Sequence, residues 1–132
     1  MRRLEPARQQ YAWGSTSAIP ELLGVADDGA PWAEAWYGSH PAGPARVTGG
    51  DALSELIDAE PERLLGEDII WRFGRRLPFL LKLIAPERPL SLQVHPSQAQ
   101  AAEGYALEEE AGIALDHPAR NYKDTNHKPE MV

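Results

Sequence analysis

Twelve prolines and eleven glycines interrupt a chain of 132 residues. Proline lacks the N–H that helix interiors and central strands need, and glycine raises the entropic cost of ordering the backbone. A chain broken this often, most densely in its first half, is confined to short elements, and strands and loops suit such pieces better than long helices do. "QYAWGST" reads as a short strand or strand end. "SAIPELLG" reads as a helical turn with Ser17 as cap, Pro20 in the first turn and Gly24 as stop. "PWAEAWYGSHPAGPARV" spaces aromatics among small residues and closes in a Pro/Gly loop. The clearest helical stretch is "GDALSELIDAEPERLLGEDI": Leu53, Leu56 and Ile57 make one apolar face, Pro61 breaks it, and a second short turn ends at Gly66. "LPFLLKLI" is continuously apolar, a buried strand or a short helix.

Charge and composition exclude several classes. Thirteen basic against twenty acidic residues give a formal charge of −7, which argues against life on nucleic acid, where phosphate neutralisation needs clustered Lys and Arg. No run approaches the ~20 apolar residues of a membrane span. The two early arginines of "MRRLEPARQQYAWG" have no apolar stretch behind them, so the start is not a secretory signal. Without cysteine there are no disulfides and no thiolate metal sites. The expectation is one soluble, cytoplasmic domain over residues 1–132, with no nucleic acid or membrane partner.

In "LSLQVH" the apolar residues Leu90, Leu92 and Val94 alternate with Ser91, Gln93 and His95, and Pro96 follows. A period of two predicts a strand with three polar groups in a row on one face. Gln93 and His95 there offer a metal an amide oxygen and an imidazole nitrogen, although such a pair more often faces solvent or bonds within a core. "SQAQAAEGYALEEEAG" is helical in composition, capped by Ser97, stopped by Gly112, with an acidic, solvated last turn; "IALDHPARNYKDTN" is loop. The closing "HKPEMV", read as a strand, puts Lys128, Glu130 and Val132 on one face and His127, Pro129 and Met131 on the other. Pro129 then requires an edge, a bulge or a strand position whose N–H is not needed. Taken alone, Lys128 and Glu130 are an exposed pair worth almost nothing.

Together, "PLSLQVHPSQ" and "NYKDTNHKPEMV" closely resemble the two signature segments of the type I mannose-6-phosphate isomerases, zinc enzymes of the cupin class. "YAWGSTSAIPELLG", "AEAWYGSHP" and "LPFLLKLIAPERPLSLQVHP" resemble further family segments in the same order, so the resemblance covers nearly the whole chain. It implies that Gln93, His95 and Glu130 are ligands of one zinc ion. It places Ser91, Lys128 and Trp13 beside a sugar phosphate, with Lys128 catalytic. His127, His117 and His40 match no ligand position and read as structural or surface histidines; Tyr122 and Asp124 shape the loop before the second segment. For fold, the resemblance turns a mostly β chain with short accessory helices into part of a cupin-like double-stranded β-helix, a jelly-roll barrel.

The family interconverts mannose 6-phosphate and fructose 6-phosphate. That reaction moves a proton between C1 and C2 through an enediol, and a zinc ion polarises the carbonyl. Lys128 would add a second positive group or shuttle a proton between oxygens. The family's fourth zinc ligand, a histidine, and an arginine implicated in catalysis and phosphate recognition lie downstream of any position here. The expectation is therefore that the rest of the enzyme is missing beyond Val132, and that residues 1–132 alone bind metal weakly and turn over negligibly. The competing readings are a non-catalytic cupin-like module binding a sugar or organic anion, and a plain structural domain with a solvated polar strand face.

Overall fold

The structure, a computed structural model, describes residues 2–92 and 94–131. The elements run β1 (Leu4–Glu5), β2 (Ala7–Gln9), α1 (Ala18–Leu23), β3 (Glu34–Tyr37), β4 (Arg46–Val47), α2 (Leu53–Ala59), α3 (Pro61–Leu65), α4 (Glu67–Phe73), β5 (Leu81–Ile84) and α5 (Gln98–Glu110). Two compact units divide the chain, Met1–Leu90 and Ser91–Val132. Among the described residues no helix is long and apolar enough to cross a membrane.

The first unit is built on an antiparallel sheet of order β2-β3-β5, with β1 and β4 forming a separate antiparallel pair. "LPFLLKLI" resolves as a strand: Leu83 pairs with Ala35 and Ile84 with Glu34. The core is made of small side chains, Ala33, Ala35, Ala45 and Ala52, around Ile19, Ile57 and Trp36. Small residues let backbones approach closely, and the segment at Gly14 depends on this. A Cβ on Gly14 would stand 2.4 Å from Ala33 Cα, a backbone atom that cannot step aside. "QYAWGST" follows the end of β2 directly, as a strand end would, then turns, with Gly14 N–H donating to the Tyr11 carbonyl at 2.9 Å and Gly14 bridging Pro86. Its exit is locked by Ser15 N–H on the Ala85 carbonyl at 2.8 Å, and by Trp32 N–H on the Ser15 carbonyl at 2.9 Å.

The helices follow their sequence signals closely. Gly24 takes the left-handed conformation, φ 66°, that ends α1. The hydroxyl at its start, however, is Ser15 and not Ser17: Ser15 Oγ accepts from Ala18 N at 3.3 Å, while the Ser17 side chain makes no capping bond. The Glu55 carboxylate accepts from Ala52 N at 2.8 Å at the start of α2, and Pro61 opens α3, where its missing N–H is not needed. Helix α4 buries none of its residues, and Trp71 on it is 87% exposed.

In the second unit, α5 begins with a reciprocal cap. Ser97 Oγ accepts from Gln100 N at 3.4 Å, and the Gln100 side chain accepts from Ser97 N at 3.0 Å. The tyrosine ring of Tyr122 lies so close that a Cβ on Gly104 would fall 2.4 Å from it. Glycine inside the helix therefore costs propensity but admits the ring.

Two expectations are corrected here. The described residues of "LSLQVH" are not in a strand, and Leu92 and Val94 stand 100% and 93% exposed. Likewise "HKPEM" is irregular and exposed throughout. A half-buried strand needs an adjacent strand and a covering layer, and neither segment pairs with one among the described residues. The chain is sheet-bearing with short helices, as expected, yet the helices hold more residues than the strands and the described strands do not close a barrel.

Candidate metal centre

The second unit brings the two signature segments together through polar bonds. Helix α5 follows Pro96 directly, so its cap at Ser97 fixes the chain just after His95. The irregular segment after the helix is then bound back onto it. Arg120 is its anchor, with a side chain fully shielded from solvent. Its guanidinium donates to the Tyr122 carbonyl at 2.6 Å, the Ile113 carbonyl at 2.5 Å and Glu109 Oε1 at 2.7 Å, and lies over the Tyr105 ring at 4.8 Å. Glu108 completes the anchor, its carboxylate 3.1 Å from Arg120 Nε and accepting from Tyr122 N at 2.8 Å and Asn121 N at 3.0 Å. Burial pushes the Glu108 carboxyl up, but these donors and Arg120 outweigh it and hold the group below its ordinary value. The last turn of α5 is therefore only partly solvated: Glu108 and Glu109 face the returning chain.

Nearer the second signature segment, Asp124 Oδ1 accepts from Asn126 N at 2.8 Å and Asp124 Oδ2 lies 3.1 Å from Lys128 Nζ. Burial raises the Asp124 carboxyl, the bonds from Asn126 and Lys128 lower it more, and the net is a depressed group. Gln98, in the first turn of α5, donates to the Thr125 carbonyl at 2.7 Å, and its Oε1 stands 2.5 Å from His127 Nδ1. These ties bring His95 Nε2 to 3.5 Å from Glu130 Oε1. The two side chains are 36% and 50% exposed, so as a bare ion pair they would contribute little. As metal donors they are well placed: two atoms on one tetrahedral zinc, each at about 2.0–2.1 Å, lie about 3.3 Å apart. An open depression of about 500 Å³, lined by His95, Gln98, His127 and Pro129 among others, adjoins them.

The expected residues are thus distributed unevenly. His95 and Glu130 face each other, and Lys128 sits on the same segment as Glu130 but is held by Asp124. Among the described residues no third His, Cys, Asp or Glu joins the pair. Gln93, expected as a third ligand, lies outside the described residues. Ser91 is exposed in irregular chain. Trp13 belongs to the first unit, where its ring stacks on Tyr11 with centroids 5.4 Å apart. His117 and His40, read as structural or surface histidines, are exposed, and each accepts through Nδ1 at 3.1 Å from a backbone N–H two residues on.

Sequence reading passed over three residues. Arg120 and Gln98 carry the ties just described; the visible signal for Arg120 was a lone arginine in a Pro/Asn loop eleven and twelve residues after an acidic pair. Lys82 on β5 is the third, 3.7 Å from Glu34 Oε2 and 5.1 Å above the Trp36 ring.

The family model for the type I phosphomannose isomerase catalytic domain matches residues 1–132. The mannose-6-phosphate isomerase of Escherichia coli (strain K12) is 45% identical over 137 residues, covering 100% of this chain and 35% of that protein. The human mannose-6-phosphate isomerase is 38% identical over 142 residues, covering 98% and 31%. Among solved structures, mannose 6-phosphate isomerase from Salmonella typhimurium bound to substrate (f6p) and a zinc atom superposes with a TM-score of 0.88 at 44% identity, covering 97% of this chain and 33% of that one. The fold is thus the cupin-type fold of those enzymes, and the chain spans about a third of the length of the curated relatives it matches.

Proposed function

The chain belongs to the type I phosphomannose isomerase family, and from that membership we propose that it is the N-terminal portion of the catalytic domain of a zinc-dependent aldose–ketose isomerase acting on mannose 6-phosphate and fructose 6-phosphate. The observation that carries this reading is the 3.5 Å approach of His95 Nε2 to Glu130 Oε1, at the two positions the family pattern assigns to metal ligands. Gln93 is the third proposed ligand. An imidazole, a carboxylate and an amide oxygen form a donor set that zinc accepts with a single negative charge, leaving the centre net positive.

Zinc held by these side chains supplies a Lewis acid for the sugar carbonyl. The remaining work falls to the chain's own groups. Lys128 presents an ammonium group, steadied by Asp124 at 3.1 Å, to the sugar oxygens, where it stabilises negative charge and passes a proton between them. The Ser91 hydroxyl is proposed as a hydrogen-bonding group for the substrate. Glu130, committed to the metal, is not the base that removes the carbon-bound proton.

The test is zinc content and isomerase turnover in a protein of the relatives' length, with Gln93→Ala and Glu130→Ala as variants. One zinc per chain, lost in both variants together with turnover, is expected. Stoichiometric zinc retained in both would remove these residues from the metal site.

A further inference from the structure

The family pattern leaves His127 without a role, and nothing in it points to Gln98. In the structure each uses its polar atoms on the other or on the same short segment. Gln98 Oε1 lies 2.5 Å from His127 Nδ1 and 3.4 Å from the His127 backbone N, while Gln98 Nε2 donates to the Thr125 carbonyl at 2.7 Å. These partners fix both the amide and the ring. Turning the amide over would set its nitrogen against a backbone N–H and its oxygen against a carbonyl, so the oxygen faces His127. Since that oxygen only accepts, His127 Nδ1 carries the hydrogen, and in the neutral ring Nε2 keeps the lone pair. Gln98 is thereby joined at three points to the segment that leads into Lys128 and Glu130, and it stands three residues after His95 on the capped first turn of α5.

We infer that Gln98 is a positioning residue for the metal centre: with His127 as its partner, it sets the distance between the segment carrying His95 and the segment carrying Glu130. The inference rests on the proposed zinc reading of that pair. The physical reason is that the described residues 127–131 lie in irregular, exposed chain, with no strand or apolar core to hold Glu130 in place. A metal ligand on such a segment owes its position to the few bonds that tether it, and loss of an outer tether lowers metal affinity.

The experiment combines zinc titration with the ¹⁵N chemical shifts of the His127 ring, on wild type, Gln98→Leu and Gln98→Glu. Wild type is expected to show the Nδ1–H tautomer before zinc is added. Gln98→Leu should lose that preference and bind zinc at least about tenfold more weakly. Gln98→Glu keeps an acceptor for His127, loses the donor to Thr125 and adds a negative charge, so it should keep the hydrogen on Nδ1 that Gln98→Leu loses, which separates the His127 contact from general unfolding. Zinc affinity within twofold of wild type in a helical Gln98→Leu protein would overturn the inference, as would an Nε2–H tautomer in wild type. If wild type takes up no zinc while showing the Nδ1–H tautomer, the zinc reading fails and the metal-positioning role falls with it, leaving only the Gln98–His127 contact established.

Discussion

The two units are held together by different forces. In the first, an antiparallel sheet and short helices close over alanines, two isoleucines and a tryptophan, and a glycine at the tightest approach lets the backbones meet. In the second, one helix and a long irregular return are joined through a shielded arginine, two glutamates and a glutamine, and Ala101 is the one buried apolar residue among those described. Apolar packing is non-directional and tolerates small shifts, whereas a polar anchor specifies positions atom by atom and fails sharply when one partner is removed. The unit that brings His95 Nε2 to 3.5 Å from Glu130 Oε1 is the one built on polar anchors.

The largest expected effect is at the polar anchor. Arg120→Ala leaves the Tyr122 and Ile113 carbonyls without their donor and should destabilise the second unit by about 1–3 kcal/mol for each of these orphaned groups. Hydrogen exchange followed by mass spectrometry should show α5 losing protection while β3 keeps it. Equal loss in both would erase the distinction between the units. A smaller effect is expected at the packed approach in the first unit: Gly14→Ala forces the turn away from Ala33 and should cost about 1–3 kcal/mol, read as a lower midpoint in urea. An unchanged midpoint would mean that the sheet is looser than its contacts suggest.

The smallest effect is a pH dependence in the first unit. Arg8 donates to both oxygens of Asp28, at 2.7 and 2.9 Å, and this pairing pulls the Asp28 carboxyl from its ordinary 3.8 down to about 2. A carboxyl depressed on folding stabilises the fold fully above its unfolded value and loses that contribution as the pH falls through the folded one. The contribution should therefore fade between about pH 4 and pH 2, and Asp28→Asn should flatten the stability profile over that window alone. A profile identical to wild type would show that the pair contributes nothing.

How much of this was readable from residues alone depended on how local the cause was. Gly24, Pro61 and the Ser97–Gln100 cap act within a turn or two of their own position, and "SAIPELLG" and "SQAQAAEGYALEEEAG" were legible almost to the residue. "QYAWGST" was legible as a strand end but not as a turn, because its further hydrogen bonds go to chain some twenty and seventy residues away. "LSLQVH" has the alternation of a strand but no described partner to receive it. The proposed metal pair was visible only through family resemblance, because no local rule brings His95 to Glu130; ties such as Glu109–Arg120 and Gln98–His127 span eleven and twenty-nine residues.

The central claim is that His95 and Glu130 hold one zinc ion while His127 serves as a tether outside the metal's coordination. X-ray absorption spectroscopy of the zinc-loaded protein, with His95→Ala and His127→Ala as variants, tests it most directly. Loss of one imidazole at about 2.0–2.1 Å in His95→Ala, with the imidazole count unchanged in His127→Ala, is the predicted result. A signal unchanged by His95→Ala, or an imidazole lost in His127→Ala, would contradict it.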